Sequence, residues 1–348
     1  MATTIAVLIE RHGPPEVLAE REVPLADPGP DEVHLEVEAA GVNFADLMMR
    51  TGIYATVPPM PYSPGFEAAG IVRRVGAGVT DWKIGDRAIA LIRFGGYARD
   101  LIVPLRNLFR YPASVSPVDA AAVPVAFLTA WVALFESARV RAGETALVLN
   151  AAGGVGTAAV QLAIWKGLRV IGTAGAERKR TFVVGELGAE ACFDSGADWG
   201  AEVERLVGPR GIDAALDAVG GTATATCRGL LAPLGRLVFY GLSDAMPSLR
   251  KNWIDLIRAW LKTPRFHPLS LIEPSIGVSG IHLLHLKHRE ELLRPALDQI
   301  YQAVIDGKVR ALVDRTFPLD RAGAVEAHHY LHDRKVIGKV VLTRGPAR

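Results

Sequence analysis

The sequence predicts an α/β chain in two parts, a small barrel-like β domain and a doubly wound parallel sheet. Three observations carry this. Short alternating strands with Gly/Pro turns fill the first third; from Glu144 onward apolar strands alternate with helical stretches; and a glycine-rich turn, Asn150 to Gly156, joins a buried strand to a helix. The 348 residues, 50% hydrophobic, suffice for about two domains with a substantial core.

In the first part, Asp31 to Ala39 sets Val33, Leu35 and Val37 against Glu32, His34, Glu36 and Glu38, the period of a half-buried strand. Gly13-Pro14-Pro15, Asp27-Pro28-Gly29-Pro30, Gly76-Ala77-Gly78 and Ile84-Gly85-Asp86 supply turns. Ala120 to Phe135 is the most apolar stretch, but it is shorter than the ~18–20 residues a bilayer span requires and holds Pro124, so a core helix pair is expected. Thr145 to Asn150 reads as a strand buried on both faces. Gly154 to Lys166 follows as a helix closed by Gly167, then Leu168 to Thr173 as a strand and Glu177 to Leu187 as a helix closed by Gly188. Strands at 191–193, 212–217 and 236–240 continue the series with right-handed crossovers. Helices from Glu290 and a last strand at 338–342 complete it.

Composition excludes several classes. Lys plus Arg number 39 and Asp plus Glu 37, a net charge of +2 without long basic blocks, so nothing marks a nucleic-acid partner. Cys192 and Cys227 are too few for a disulfide framework or a four-cysteine zinc lobe and read as packing residues of a reducing compartment. Met1 to Arg11 lacks the features of a signal peptide, and a cytoplasmic protein without a membrane span is expected.

Ala152, Gly153, Gly154, Val155 and Gly156 are the candidate pyrophosphate-binding set. Against the dinucleotide pattern G-x-G-x-x-G the three slots are Ala151, Gly153 and Gly156. Gly153 lets backbone approach a phosphate, Gly156 lets helix pack on strand, and the helix N-terminus offers free N–H groups. The alternative is an ordinary strand-to-helix turn. The next strand ends Gly172-Thr173-Ala174-Gly175 with no acid to hold a ribose 2′-hydroxyl, and Arg178, Lys179 and Arg180 follow. Missing repulsion and nearby cations favour a 2′-phosphate, hence NADPH. The three cations also fit a solvated helix face.

With these residues in view, Gly41-Val42-Asn43-Phe44-Ala45-Asp46, Pro64-Gly65-Phe66-Glu67-Ala68-Ala69-Gly70, Lys83-Ile84-Gly85-Asp86-Arg87 and Ala151 to Gly156 occur in order. The set resembles the medium-chain dehydrogenase/reductase superfamily in its quinone oxidoreductase branch. The 250–286 stretch and the ending His328 to Lys335 resemble its synaptic vesicle membrane protein-like members. The resemblance implies a GroES-like catalytic domain (1–127 and 286–348), a Rossmann domain (128–285), an active site between them and a homodimer. Zinc-dependent relatives carry Cys and His where this chain has Asn43 and Phe66, and amide and phenyl groups do not replace thiolate and imidazole. The expected chemistry is therefore zinc-free hydride transfer from NADPH to a quinone or enone, whose conjugation already polarises the acceptor carbon.

By the same resemblance, Asn43 donates a hydrogen bond to the nicotinamide ribose or the substrate oxygen. Tyr54 orients the carbonyl or returns a proton, and Asp46 orders the loop. The plainer readings are a cap residue for Asn43 and a packing residue for Tyr54. Met48 stands where some quinone oxidoreductases have a second loop tyrosine, which bears on proton delivery, and Ser195 roughly where they have a tyrosine near the adenosine phosphate, which shifts phosphate binding toward Thr173, Lys179 and Arg178, with the Ser195 hydroxyl as a further donor. The backbone of Gly241 and Leu242 is expected to face the nicotinamide, and that of Gly280 to Leu283, which resembles the last sheet strand and includes His282, to pair with its carboxamide. His282, His285 and His288, and His328, His329 and His332, read as solvated or core histidines rather than metal ligands. Trp253, Ile254, Ile257, Trp260 and Leu261 recur at helical spacing among Arg250, Lys251, Asp255 and Arg258, read as a helix packed on the core or a lid, with a surface for a membrane or partner as the less favoured alternative because the basic content is modest. An enoyl-thioester reductase and a nucleotide-binding adaptor without turnover are the competing functions.

Overall fold

The computed structural model describes residues 2–54, 56–243, 249, 253–286 and 288–345, with the side chains of 255, 256 and 258–260 outside that set. Two compact units emerge. One comprises Met1–Val125, Leu249–Lys251 and Leu284–Arg348, the other Ala126–Ser248 and Asn252–Leu283.

In the first unit the strands are β1 (Ala2–Ile9), β2 (Leu18–Leu25), β3 (Glu32–Val42), β4 (Glu67–Val75), β5 (Arg87–Leu91), β6 (Asp100–Pro104) and β7 (Leu108–Arg110). β1 and β2 form an antiparallel pair. In β3, Val33, Leu35 and Val37 are buried while the intervening residues are half-buried, as the alternation predicts. Beyond Glu38 both faces of the strand are covered.

The second unit holds β8 (Thr145–Val148), β9 (Arg169–Ala174), β10 (Ala191–Asp194), β11 (Ile212–Asp217), β12 (Leu231–Phe239) and β13 (Gly277–Gly280). They form a parallel sheet in the order β10-β9-β8-β11-β12-β13, numbered in chain order 3-2-1-4-5-6. This is the dinucleotide-binding order, with its switch point beside β8. Every residue of β8 is buried, because helices cover both faces of such a sheet. The helix after β8 spans Gly154–Trp165 and the one after β9 spans Glu177–Gly185.

The chain then returns to the first unit. A helix at Glu290–Ile305 precedes β14 (Val313–Pro318), a helix at Arg321–His332 and β15 (Lys339–Thr343). β15 pairs antiparallel with β3, giving the sheet order β14-β15-β3-β4-β5-β7 with β6 on β3. The expectations miss β14 entirely.

Two further expectations need correction. The last strand of the parallel sheet is Gly277–Gly280, upstream of the expected 280–283; His282 lies beyond it, exposed, before a 3₁₀ turn at Leu283–Leu286. The 253–262 segment is helical, but its apolar face is not packed on the core: Trp253, Ile254, Ile257 and Leu261 are all more than half exposed. Arg250 and Lys251, and the side chains of Asp255, Arg258 and Trp260, lie outside the described residues. No described helix is long and apolar enough to cross a membrane.

Candidate active site

In the first unit, Asn43 sits in extended backbone (φ −121°, ψ 154°) between β3 and the helix Phe44–Thr51. Asp46, three residues on, accepts the Asn43 N–H at 2.7 Å and the Gly65 N–H at 2.8 Å. A fully buried carboxyl thus ties the helix start to the Pro64–Phe66 turn. Burial pushes this carboxyl up to about 7, against the pull of its two backbone N–H partners and of Lys339. The Tyr97 hydroxyl lies 3.4 Å from Asp46 Oδ2 and 3.2 Å from His328 Nε2. Burial holds His328 well below the usual histidine range, so it is neutral. With its proton on Nε2, the chain His328 to Tyr97 to Asp46 has each hydroxyl and imidazole donor engaged. His328 is therefore a core histidine, and among the described residues no group of three His, Cys, Asp or Glu is placed to hold a metal.

The Asn43 side chain is held by residues far away in the chain. Its Oδ1 accepts from Lys339 Nζ at 2.6 Å, and its Nδ2 donates to Glu67 Oε1 at 2.9 Å. Lys339 also donates to that same Glu67 oxygen at 2.7 Å, and Glu67 Oε2 accepts the Val125 N–H at 2.7 Å. Glu67 is fully buried and Lys339 nearly so. Phe66 is buried in the core cluster, its ring centroid 5.8 Å from that of Tyr54. Neither former ligand position suits zinc. The phenyl has no donor atom, and the only oxygen of the Asn43 amide already faces an ammonium. Tyr54 is half-buried against this cluster, and burial, with the nearby Asp46 charge, pushes its phenol up to about 12. It is accordingly a proton donor rather than a phenolate at neutral pH.

In the second unit the loop after β8 turns at Asn150, which adopts φ 51°. The Gly153 N–H closes the turn on Asn150 O at 2.8 Å, and the helix starts at Gly154. A Cβ at Gly156 would lie 2.1 Å from Asn150 O, so only glycine fits. The first slot holds Ala151 because β9 makes room for it: a Cβ at Gly172 would sit 2.7 Å from the Ala151 methyl. At Gly153 an added Cβ would meet a protein atom no nearer than 3.3 Å, a far milder conflict. Ala152 is buried, while Gly153, Gly154 and Val155 reach the surface.

The carboxyl ends of the neighbouring strands gather around this loop. Asn150 Nδ2 donates to Ser243 Oγ at 3.2 Å, and the Ser243 N–H donates to Ala218 O at 2.9 Å. Buried Asp217 shapes the β11 loop by accepting from the N–H groups of Val219 (2.7 Å) and Gly220 (2.9 Å) and from the Thr224 hydroxyl (2.7 Å). Gly241 packs over Ala218, and Leu242 is exposed beside it. At the end of β9, Thr173 is buried, its carbonyl accepting the Ala151 N–H at 2.9 Å. Gly175 and Ser195 are neighbours, with Arg178 exposed and Lys179 half-buried on the following helix. Arg180 turns back, donating to the Ala174 carbonyl at 3.3 Å and pairing with Asp194 at 3.1 Å.

Three groups escape sequence reasoning. Lys339 and Glu67 are recognisable only through their pairing. Asp194 is an acid at the end of β10, set beside Ala174 by strand register. Its signal was available, since it directly precedes Ser195. Cys227 is fully buried and Cys192 half-buried, and burial pushes the Cys192 thiol up to about 12, in keeping with packing roles.

Residues 29–113 match the family described as Alcohol dehydrogenase GroES-like domain, and residues 187–342 match Zinc-binding dehydrogenase. The chain is 35% identical over 323 residues to the synaptic vesicle membrane protein VAT-1 homolog of Rattus norvegicus, covering 92% of this chain and 79% of that protein. It is 30% identical over 342 residues to the quinone oxidoreductase of Sus scrofa, covering 97% of each. The structure of Escherichia coli quinone oxidoreductase complexed with NADPH superposes with a TM-score of 0.86 at 28% identity, covering 97% of this chain and 99% of that one.

Proposed function

Because the chain belongs to the medium-chain dehydrogenase/reductase superfamily, with VAT-1 homologues and quinone oxidoreductases among its relatives, we propose that it is an NADPH-dependent reductase. Its acceptor on this reading is a quinone or an α,β-unsaturated carbonyl, reduced without zinc. One observation carries the proposal: the Asn150–Gly156 loop opens a helix at the switch point of a 3-2-1-4-5-6 parallel sheet.

The residues present fit the cofactor. The helix beginning at Gly154 has unpartnered first-turn N–H groups and a positive dipole end for a pyrophosphate. At Gly153 an added Cβ would meet no protein atom nearer than 3.3 Å, so packing within the chain gives only a weak reason for glycine there, which supports a ligand as the reason for it. Thr173, Ser195, Lys179 and Arg178 surround the end of β9, where a 2′-phosphate would be held. Asp194 does not oppose this, because Arg180 is paired with it. Gly241 and Leu242 would face the nicotinamide ring, whose bound reduced form supplies the hydride. His282, outside the sheet, keeps at most a peripheral role.

On the substrate side, Asn43 donates from Nδ2 to the oxygen on which negative charge develops. Tyr54, with its proton firmly held, orients that oxygen and returns a proton to it. Asp46 holds the loop rather than touching substrate.

The testing experiment is turnover of a quinone, an alkenal and crotonyl-CoA with NADPH and with NADH. The proposal expects the first two to be reduced with NADPH preferred. A clear preference for crotonyl-CoA would move the reading to an enoyl-thioester reductase, and tight NADPH binding without any oxidation would move it to an adaptor. The homodimer belongs to the same proposal, and light scattering of the purified chain checks it.

A further inference from the structure

We propose that Lys339 and Glu67 are positioning residues that lock the Asn43 carboxamide in one orientation, leaving a single Nδ2 hydrogen for an acceptor oxygen; this rests on the reductase reading above. Lys339 opens β15 and is only 5% exposed. Its three ammonium hydrogens face Val42 O at 3.3 Å, Asn43 Oδ1 at 2.6 Å and Glu67 Oε1 at 2.7 Å. Lysine therefore has no hydrogen left for a substrate and acts only through its neighbours. Glu67 takes one Nδ2 hydrogen of Asn43 at 2.9 Å and is itself fixed by the Val125 N–H at 2.7 Å.

An ammonium only donates and a carboxylate only accepts. The amide between them can face only one way. A flipped amide would set NH₂ against NH₃⁺ and C=O against COO⁻, two repulsive contacts in a buried place. An asparagine whose oxygen and nitrogen are usually interchangeable is thus assigned by charge. Preorganisation of this kind matters because a donor fixed before reaction needs no reorientation as charge develops on the acceptor. The pair also balances its own charge, so no bare carboxylate lies behind the amide as negative charge develops on the acceptor oxygen.

The experiment is a double-mutant cycle. kcat, KM and NADPH affinity are measured for the full chain and for Asn43→Ala, Lys339→Met, the double variant and Lys339→Arg. Loss of an orienting charge-assisted hydrogen bond should lower kcat on the order of 10- to 100-fold in Lys339→Met. In the Asn43→Ala background the same change should cost about threefold or less, since the group it positions is gone. NADPH affinity should not move, and Lys339→Arg should recover part of the rate. Equal losses in both backgrounds would overturn the proposal, because lysine would then serve the fold alone.

A second readout does not depend on turnover. The Asn43 side-chain amide pair, assigned in a ¹H–¹⁵N spectrum by its loss in Asn43→Ala, should show two well-separated protons that draw together in Lys339→Met. An unchanged pair sinks the proposal. A collapsing pair in an enzyme that reduces no acceptor supports the positioning and refutes the reductase reading instead. Should Lys339→Met not fold, Lys339→Met/Glu67→Gln removes both charges at once and is read in the same two ways.

Discussion

The two units place polar groups in apolar surroundings by opposite means. The first buries charge: Asp46, Arg50, Glu67 and Lys339 are all 5% exposed or less. The second relies on backbone and on missing side chains. Its glycine loop after β8 needs Gly156 for room and Gly172 for the neighbouring strand, and among its described residues Asp217 is the one fully buried carboxylic acid. One site should therefore fail when charge is altered, the other when volume is added.

The largest break is expected from Glu67→Ala. It strands the Lys339 ammonium in the core and should destabilise by about 3–5 kcal/mol in urea unfolding. A loss below about 1 kcal/mol would mean the cluster is solvated and the contrast false.

Next comes a pH window set by Asp46. Its folded value of about 7 lies above the ordinary 3.8, so between these limits the native state keeps a proton that the unfolded chain has lost. Stability due to this group is present at pH 4, falls as pH rises toward 7 and levels off above it. Unfolding curves of the natural chain and Asp46→Leu should converge at low pH least and at pH 8 most; a gap that widens with pH contradicts the assignment.

In the second unit, Gly156→Ala should lower NADPH affinity about 100-fold, near 3 kcal/mol, because the new methyl displaces the loop. Gly153→Ala should cost less unless a ligand occupies the space above it, so a comparable loss in a fluorescence titration would sharpen the case for a phosphate there. The smallest effect is Lys179→Ala, about tenfold on NADPH and little on NADH. Equal losses on both would remove Lys179 from the 2′-phosphate.

What was legible in the sequence follows the same divide. β8, β9 and β11 announce themselves because parallel strands covered on both faces are mostly apolar runs, and the glycine loop is local. β13 was displaced because its Gly-Val-Ser-Gly run carries almost no apolar signal, while Ile281 and Leu283 beyond it do. The 253–262 helix was predicted from periodicity, which reveals a stripe but not what covers it. Asn43 and Tyr54 came from ordered motifs, yet the residues holding Asn43 did not. Glu67 and Lys339 are 272 positions apart, and a pairing at that distance leaves no local pattern to read.

That separation has a consequence for biosynthesis. A ribosome releases β3, β4 and their carboxylate long before it releases β15, and the whole parallel sheet is made in between. Until the last strand docks, the first unit carries an uncompensated negative charge and an open sheet edge. Nascent or prematurely terminated polypeptides ending short of Lys339 should thus persist as chaperone clients and protease substrates, and only the finished translation product should escape quality control.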